Sequence, residues 1–191
     1  MRGNMFKGLL CLVLLMCSCV NDDKFSTFYF LGDSIIGKWD IQVYFPVYTV
    51  YNDGLPGAGI DYIERCKGMY TDKNVVIMIG TNDMRMDLDE KTYAKRYVKA
   101  VNNLHARQIY VYAIMPRNYE TDSPNINNKI EKVNQAIQEQ FKIEKQEVHY
   151  LDIYNIMLKD GRMNMQYCYD GIHLNDYGYE ILRNKLQQSL K

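Results

Sequence analysis

Five short, unbroken apolar runs, with helix-like periodicity between most of them, constrain the fold of this chain more than any other feature. They are 26–31 "STFYFL", 47–51 "VYTVY", 74–79 "NVVIMI", 108–114 "QIYVYAI" and 147–152 "EVHYLD". Their apolar residues are consecutive rather than alternating, the pattern of strands covered on both faces. Apolar residues at helical spacing fill 58–68, closed by Gly68, and 89–106, through Tyr93, Tyr97, Ala100, Val101 and Leu104. The same spacing recurs in 124–143, through Ile126, Ile130, Val133, Ile137 and Phe141, and a last helix is predicted over 176–189. Ser123 and Pro124 read as the N-cap and first position of the 124–143 helix. Alternation of this kind implies an α/β protein, a parallel sheet with helices on both faces. A chain of 191 residues has room for one domain with a real core and hardly for two. Residues 26–191 therefore read as one three-layer domain.

The first 19 residues have a different character. Arg2 and Lys7 precede the nine-residue run "GLLCLVLLM", which meets "CSC". Nine helical residues rise only about 14 Å, against about 30 Å for a bilayer core, so the run reads as a signal peptide rather than a span. Ser18 before Cys19 resembles the lipobox of bacterial lipoproteins, although Met16 stands where Leu is usual. That resemblance implies a lipid on Cys19, a short tether over 20–25 and a membrane-anchored, exported protein of the periplasm or outer-membrane surface. Processing there leaves two thiols, Cys66 and Cys168, expected to remain unpaired. Formal charge cancels, with 23 basic and 23 acidic residues, so no basic excess points to nucleic acid.

In a parallel α/β sheet, chemistry gathers where the strands end at their carboxyl side. Those ends read "GDS" (32–34), "NDGLPG" (52–57) and "GTND" (80–83), with "DGIHLN" (170–175) before the final helix. Past Cys19 the chain has four serines, and only Ser34 sits at a strand-to-helix turn; Ser26 opens a strand, Ser123 reads as a cap and Ser189 is near the end. Of three histidines, His105 falls in a helix's last turn and His149 inside a strand, which leaves His173 on the catalytic rim. Asp170, three residues before His173, can reach the far ring nitrogen, fix the tautomer and stabilise the imidazolium. Ser34, Asp170 and His173 thus have the makings of an acyl-transfer triad. It is not the nucleophile elbow of α/β-hydrolases, since Ile36 occupies the position that motif gives to glycine. The oxyanion donors such a site needs are available as the Gly57 N–H, the Asn82 side-chain amide and the Ser34 N–H. Asp33 and Asp83 read as turn-stabilising, and the chemistry calls for no metal or cofactor.

Each of these four words alone is ordinary turn vocabulary. All four, in this order at successive strand ends, resemble the blocks of the SGNH (GDSL-like) hydrolases over residues 28–175. The resemblance implies a flavodoxin-like α/β/α sandwich with a five-stranded parallel sheet in the order 2-1-3-4-5. By position it makes Ser34 the nucleophile, Gly57 and Asn82 oxyanion donors, and Asp170 and His173 orienter and base. After Gly57 the family often has Asp and then Thr or Ser, whereas this chain has Ala58 and Gly59.

Only 22 residues separate Ser34 from Gly57, which leaves little for a lid. An open site favours a short acyl group on a large or polar alcohol, such as an acetylated sugar. Trp39, Tyr44, Tyr119, Tyr167 and Tyr169 flank the candidate loops and could stack on sugar rings. The expected activity is therefore a serine esterase acting on a small-molecule or glycan ester. A lipase, thioesterase or acyltransferase on the same triad, or a glycan-binding lipoprotein without turnover, are the alternatives.

Overall fold

The computed structural model describes residues 26–87 and 89–190, so the expected signal segment, Cys19 and the tether lie outside the described residues. Five parallel strands form the sheet: β1 (Thr27–Gly32), β2 (Thr49–Gly54), β3 (Asn74–Met78), β4 (Gln108–Tyr112) and β5 (His149–Leu151). Their order is β2-β1-β3-β4-β5, as the resemblance implies, which places the reversal of strand order beside the end of β1.

Between β1 and β2 lie two single-turn helices, α1 (Ser34–Gly37) and α2 (Ile41–Tyr44). The crossovers that follow carry α3 (Ile60–Arg65), α4 (Glu90–Asn102) and α5 (Ile126–Ile143), and the chain closes with α7 (Asp176–Ser189) after α6 (Tyr154–Met157) and a small antiparallel pair, β6 (Leu158–Lys159) with β7 (Arg162–Met163). Right-handed crossovers in this strand order put α3, α4 and α5 on one face, where they pack side by side. The β1–β2 connection lies on the other face, where α7 meets it: Tyr179 stacks on Trp39 with ring centroids 5.4 Å apart. The central strand β3 is buried at every position, as its unbroken apolar run requires. At the edges, β2 has no buried position and β5 only Leu151, so the reading of strands covered on both faces fails for both; an edge strand has only one hydrogen-bonded neighbour and less cover.

The helices keep their expected faces but not all their ends. Asp89 caps α4 through the Thr92 N–H, and Tyr93, Tyr97, Ala100 and Val101 face the core. His105 does not lie in the last turn; α4 stops at Asn102 and His105 takes a left-handed backbone in the loop beyond. Ser123 is not the cap of α5 either. Asn125 holds that position, and the Ser123 carbonyl accepts from the Ile126 N–H in a preceding turn. Cys66 and Cys168 are buried free thiols.

Candidate active site

Ser34 emerges at the first position of α1, directly after β1. The turn is set by Asp33, whose side chain accepts the Ile35 N–H at 2.9 Å, as an N-cap does. Ser34 is 8% exposed, open just enough to be approached. Its Oγ lies 3.1 Å from His173 Nε2, across 139 residues of chain. His173 Nδ1 lies 2.7 Å from Asp170 Oδ2, while the other Asp170 oxygen accepts the backbone N–H groups of Ile172 and His173 at 3.0 and 2.8 Å. Burial alone would raise the Asp170 pKa, but the His173 ring and these two N–H groups outweigh it and hold it down at about 2. A carboxylate so fixed keeps the proton of the ring on Nδ1 and leaves Nε2 as an acceptor facing the hydroxyl.

The loop that carries both groups is a small closed structure. Cys168 bridges to Leu174 in antiparallel fashion, and the Tyr169 N–H donates to the His173 carbonyl at 2.8 Å. Its turn depends on Gly171: φ is +86°, and a Cβ there would lie 2.1 Å from the Asn118 carbonyl oxygen.

The second and third blocks meet each other through residues 58–60 and 82–83. Leu55-Pro56-Gly57-Ala58 is a turn with proline second and a left-handed glycine third (φ +79°), closed by the Ala58 N–H on the Leu55 carbonyl at 3.0 Å. Because Ala58 makes that bond, the Gly57 N–H takes no part in it. One Asn82 amide hydrogen goes to the Ala58 carbonyl at 2.8 Å, and the group has a second to give.

Asp83 proves to be more than a turn residue. Gly59, the N-cap of α3, has no side chain to offer, and Asp83 supplies the missing acceptor from 23 residues along the chain: its Oδ2 takes the Ile60 N–H at 2.9 Å. The same oxygen accepts the Tyr93 hydroxyl at 2.7 Å. The departure at Ala58–Gly59 is thus matched by the third block, and a Cβ at residue 59 would lie 2.2 Å from Asp83 Oδ1. Asn82 and Asp83 together grip residues 58–60. Burial raises the Asp83 pKa, and it drives that of Asp33, 1% exposed, up to about 7 against the Ile35 N–H that lowers it.

Arg117, which sequence reasoning did not single out, is 2% exposed. It pairs with buried Asp122 at 2.8 Å and donates to the Thr81 carbonyl and hydroxyl at 3.0 and 3.1 Å, tying the third block to the loop after β4. Of the aromatic residues expected to flank the loops, Trp39 is core, 2% exposed, while Tyr44, Tyr119 and Tyr167 are half-buried and Tyr169 is exposed.

Comparison with known proteins bears on the family and the fold. The model of the GDSL-like lipase/acylhydrolase family matches residues 30–181. A GDSL-like lipase from Bacteroides thetaiotaomicron superposes with a TM-score of 0.69 at 20% identity, over 87% of this chain and 88% of that one. A catalytic mutant of Axe2, an acetylxylan esterase from Geobacillus stearothermophilus, gives 0.59 at 14% identity over 86% and 94%. At such identities the two show the fold alone. An N-acylneuraminate cytidylyltransferase of Escherichia coli is 26% identical over 88% of this chain, which spans only 41% of that protein's length. With most of the sheet and all of the final loop inside the matched span, the chain belongs to the GDSL-like lipase/acylhydrolase family.

Proposed function

We propose that the protein is a serine esterase that removes a short acyl group, acetyl foremost, from a carbohydrate through an acyl-enzyme. The observation that carries the reading is the continuous line Ser34 Oγ–His173 Nε2 at 3.1 Å and His173 Nδ1–Asp170 Oδ2 at 2.7 Å. Ser34 Oγ attacks the ester carbonyl carbon while His173 Nε2 takes its proton, and Asp170 stabilises the resulting imidazolium. The negative charge on the former carbonyl oxygen is met by the N–H groups of Ser34 and Gly57 and by the second Asn82 amide hydrogen; each such donor typically contributes about 3–4 kcal/mol to the transition state. Collapse of the tetrahedral intermediate breaks the bond to the alcohol oxygen, which receives the proton from Nε2. Water then repeats the sequence on the acyl-enzyme, releases the acid and restores Ser34.

The acetyl and carbohydrate parts are supported by the short span between Ser34 and Gly57, by the tyrosines near His173 and by the acetylxylan esterase with the same fold. Acetate release from acetylated polysaccharides, compared with esters of graded chain length, tests them. Retention of p-nitrophenyl acetate turnover by Ser34→Ala removes the nucleophile assignment, and failure of a fluorophosphonate to label Ser34 favours a binding protein instead. Export and lipidation at Cys19 belong to the same proposal, supported by "MCSC" behind the apolar run. A membrane fraction that keeps the protein after Cys19→Ser would count against the anchor.

A further inference from the structure

The alcohol released by an ester hydrolase must lie where the histidine can hand it a proton, so recognition of the alcohol belongs in the space beside His173. A cleft of about 250 Å³ borders that residue. Its floor is rigid: Tyr179, 6% exposed, stacks on Trp39 and donates its hydroxyl to the Ile35 carbonyl at 2.9 Å, directly behind the nucleophile. Half-buried Tyr44 leans against the same Trp39, with centroids 5.9 Å apart, and forms one wall. Tyr169, 72% exposed, forms another and is tied through its own N–H to the His173 carbonyl. The polar part of the lining consists of Lys38, Asp40 and Asp176, all exposed.

This lining is selective. Aromatic faces accept the C–H faces of a saturated ring, carboxylates accept hydroxyl protons, and the ammonium donates to hydroxyl oxygens. An alkyl alcohol would use the aromatic walls but cover three charged groups without offering them a partner. The volume falls below the roughly 300–1,000 Å³ of ordinary small-molecule pockets, a size for one ring rather than an extended chain. We infer that this cleft is the alcohol subsite and that it takes a single polyhydroxylated ring, the sugar bearing the ester, with Tyr44 and Tyr169 as walls and Asp40 and Asp176 as hydroxyl acceptors. The inference rests on the esterase reading and adds which half of the substrate is read, where, and by which side chains.

Two acetates with the same acyl group and different alcohols provide the test: ethyl acetate and methyl 6-O-acetylglucoside. The wild-type kcat/KM on the sugar acetate is expected to exceed that on ethyl acetate. Tyr169→Ala and Asp176→Asn are each expected to lower the ratio of the two values by about tenfold. Neither change touches a buried contact, and circular dichroism checks that both variants fold. Equal losses on the two substrates, or a wild-type preference for decyl acetate over the sugar acetate, overturn the subsite while leaving the esterase intact. No turnover of any acetate by wild-type protein removes the esterase reading, and the subsite with it.

Discussion

Replacing Gly59 with alanine adds one methyl group, and the structure specifies what that methyl meets. The new Cβ lies 2.2 Å from Asp83 Oδ1 and 3.0 Å from its Cγ, so the carboxylate has to move by about 1 Å to reach ordinary contact. It cannot do so freely, because its other oxygen holds the Ile60 N–H and the Tyr93 hydroxyl in a site 4% exposed. Hydrogen bonds to a charged group are worth about 1.5–3 kcal/mol each, so loss of one costs about that much, or roughly 5–10 °C in Tm for a domain of this size. The larger consequence is catalytic. Residues 58–60 begin with Ala58, which closes the turn holding Gly57 and supplies the carbonyl that anchors Asn82, and a 1 Å misplacement of such groups costs about 100-fold in rate. Gly59→Ala is therefore expected to lower kcat on p-nitrophenyl acetate about 100-fold with little change in KM. Asp83→Ala is expected to lower kcat in the same way, since Ile60 loses its acceptor; Asp83→Asn, which keeps an oxygen there, should recover most of the loss. Once the carboxylate is gone the Cβ has room, so Gly59→Ala should add almost nothing on an Asp83→Ala background. If the two losses simply multiply, or if Gly59→Ala alone keeps wild-type kcat, the coupling between the two blocks is wrong.

Asp170→Asn should lower kcat by about 10⁴, because an amide facing Nδ1 favours the tautomer that puts the ring proton on Nε2, where it cannot accept from Ser34; kinetics at saturating substrate will show it. Asp33, whose pKa rises from 3.8 unfolded to about 7 folded, keeps a proton between those values that the unfolded chain has released. Its contribution to stability therefore falls as pH rises from about 4 to 7 and stays low above that. In Asp33→Asn, which can still cap Ile35, that part of the slope disappears, so urea unfolding should show the variant gaining on wild type between pH 5 and pH 8. Arg117→Ala strands the Asp122 carboxylate in a buried site and should cost about 3–5 kcal/mol by urea unfolding. Replacing both partners with apolar residues should recover much of it.

The three inner strands were legible because their runs are dictated by burial, which leaves a continuous apolar signature. Of the two edge strands β2 is the instructive one: it was expected at 47–51 but runs to Gly54, through "NDG", because pairing with β1 continues to Gly32↔Gly54. Its end is set by a neighbour rather than by its own residues. Turn chemistry likewise overrode local preference at Ser123, which lost the cap of α5 to Asn125. The pair β6–β7, two residues each, is too short to leave a period. Ser34, Asp170 and His173 could be singled out by scarcity and position, and the fold brings all three together. Asp83 could not be read beyond its turn, because its partners Ile60 and Tyr93 lie on other elements and no local pattern announces them. Arg117 was missed for the same reason: a lone arginine shows its value only when Asp122 and Thr81 fold around it.

The direction of β1 has a practical corollary. Thr27, at its start, pairs with Thr49 at the foot of the sheet, and five strand steps of about 3.3 Å carry the backbone roughly 17 Å before it reaches Gly32 and the serine beyond. Whatever is joined ahead of residue 26, be it an acyl chain, a fusion partner or a solid support, is attached at the end of β1 opposite the reacting hydroxyl. A support fixed directly at that end would leave the working face turned outward, toward polymers too large to slip beneath it.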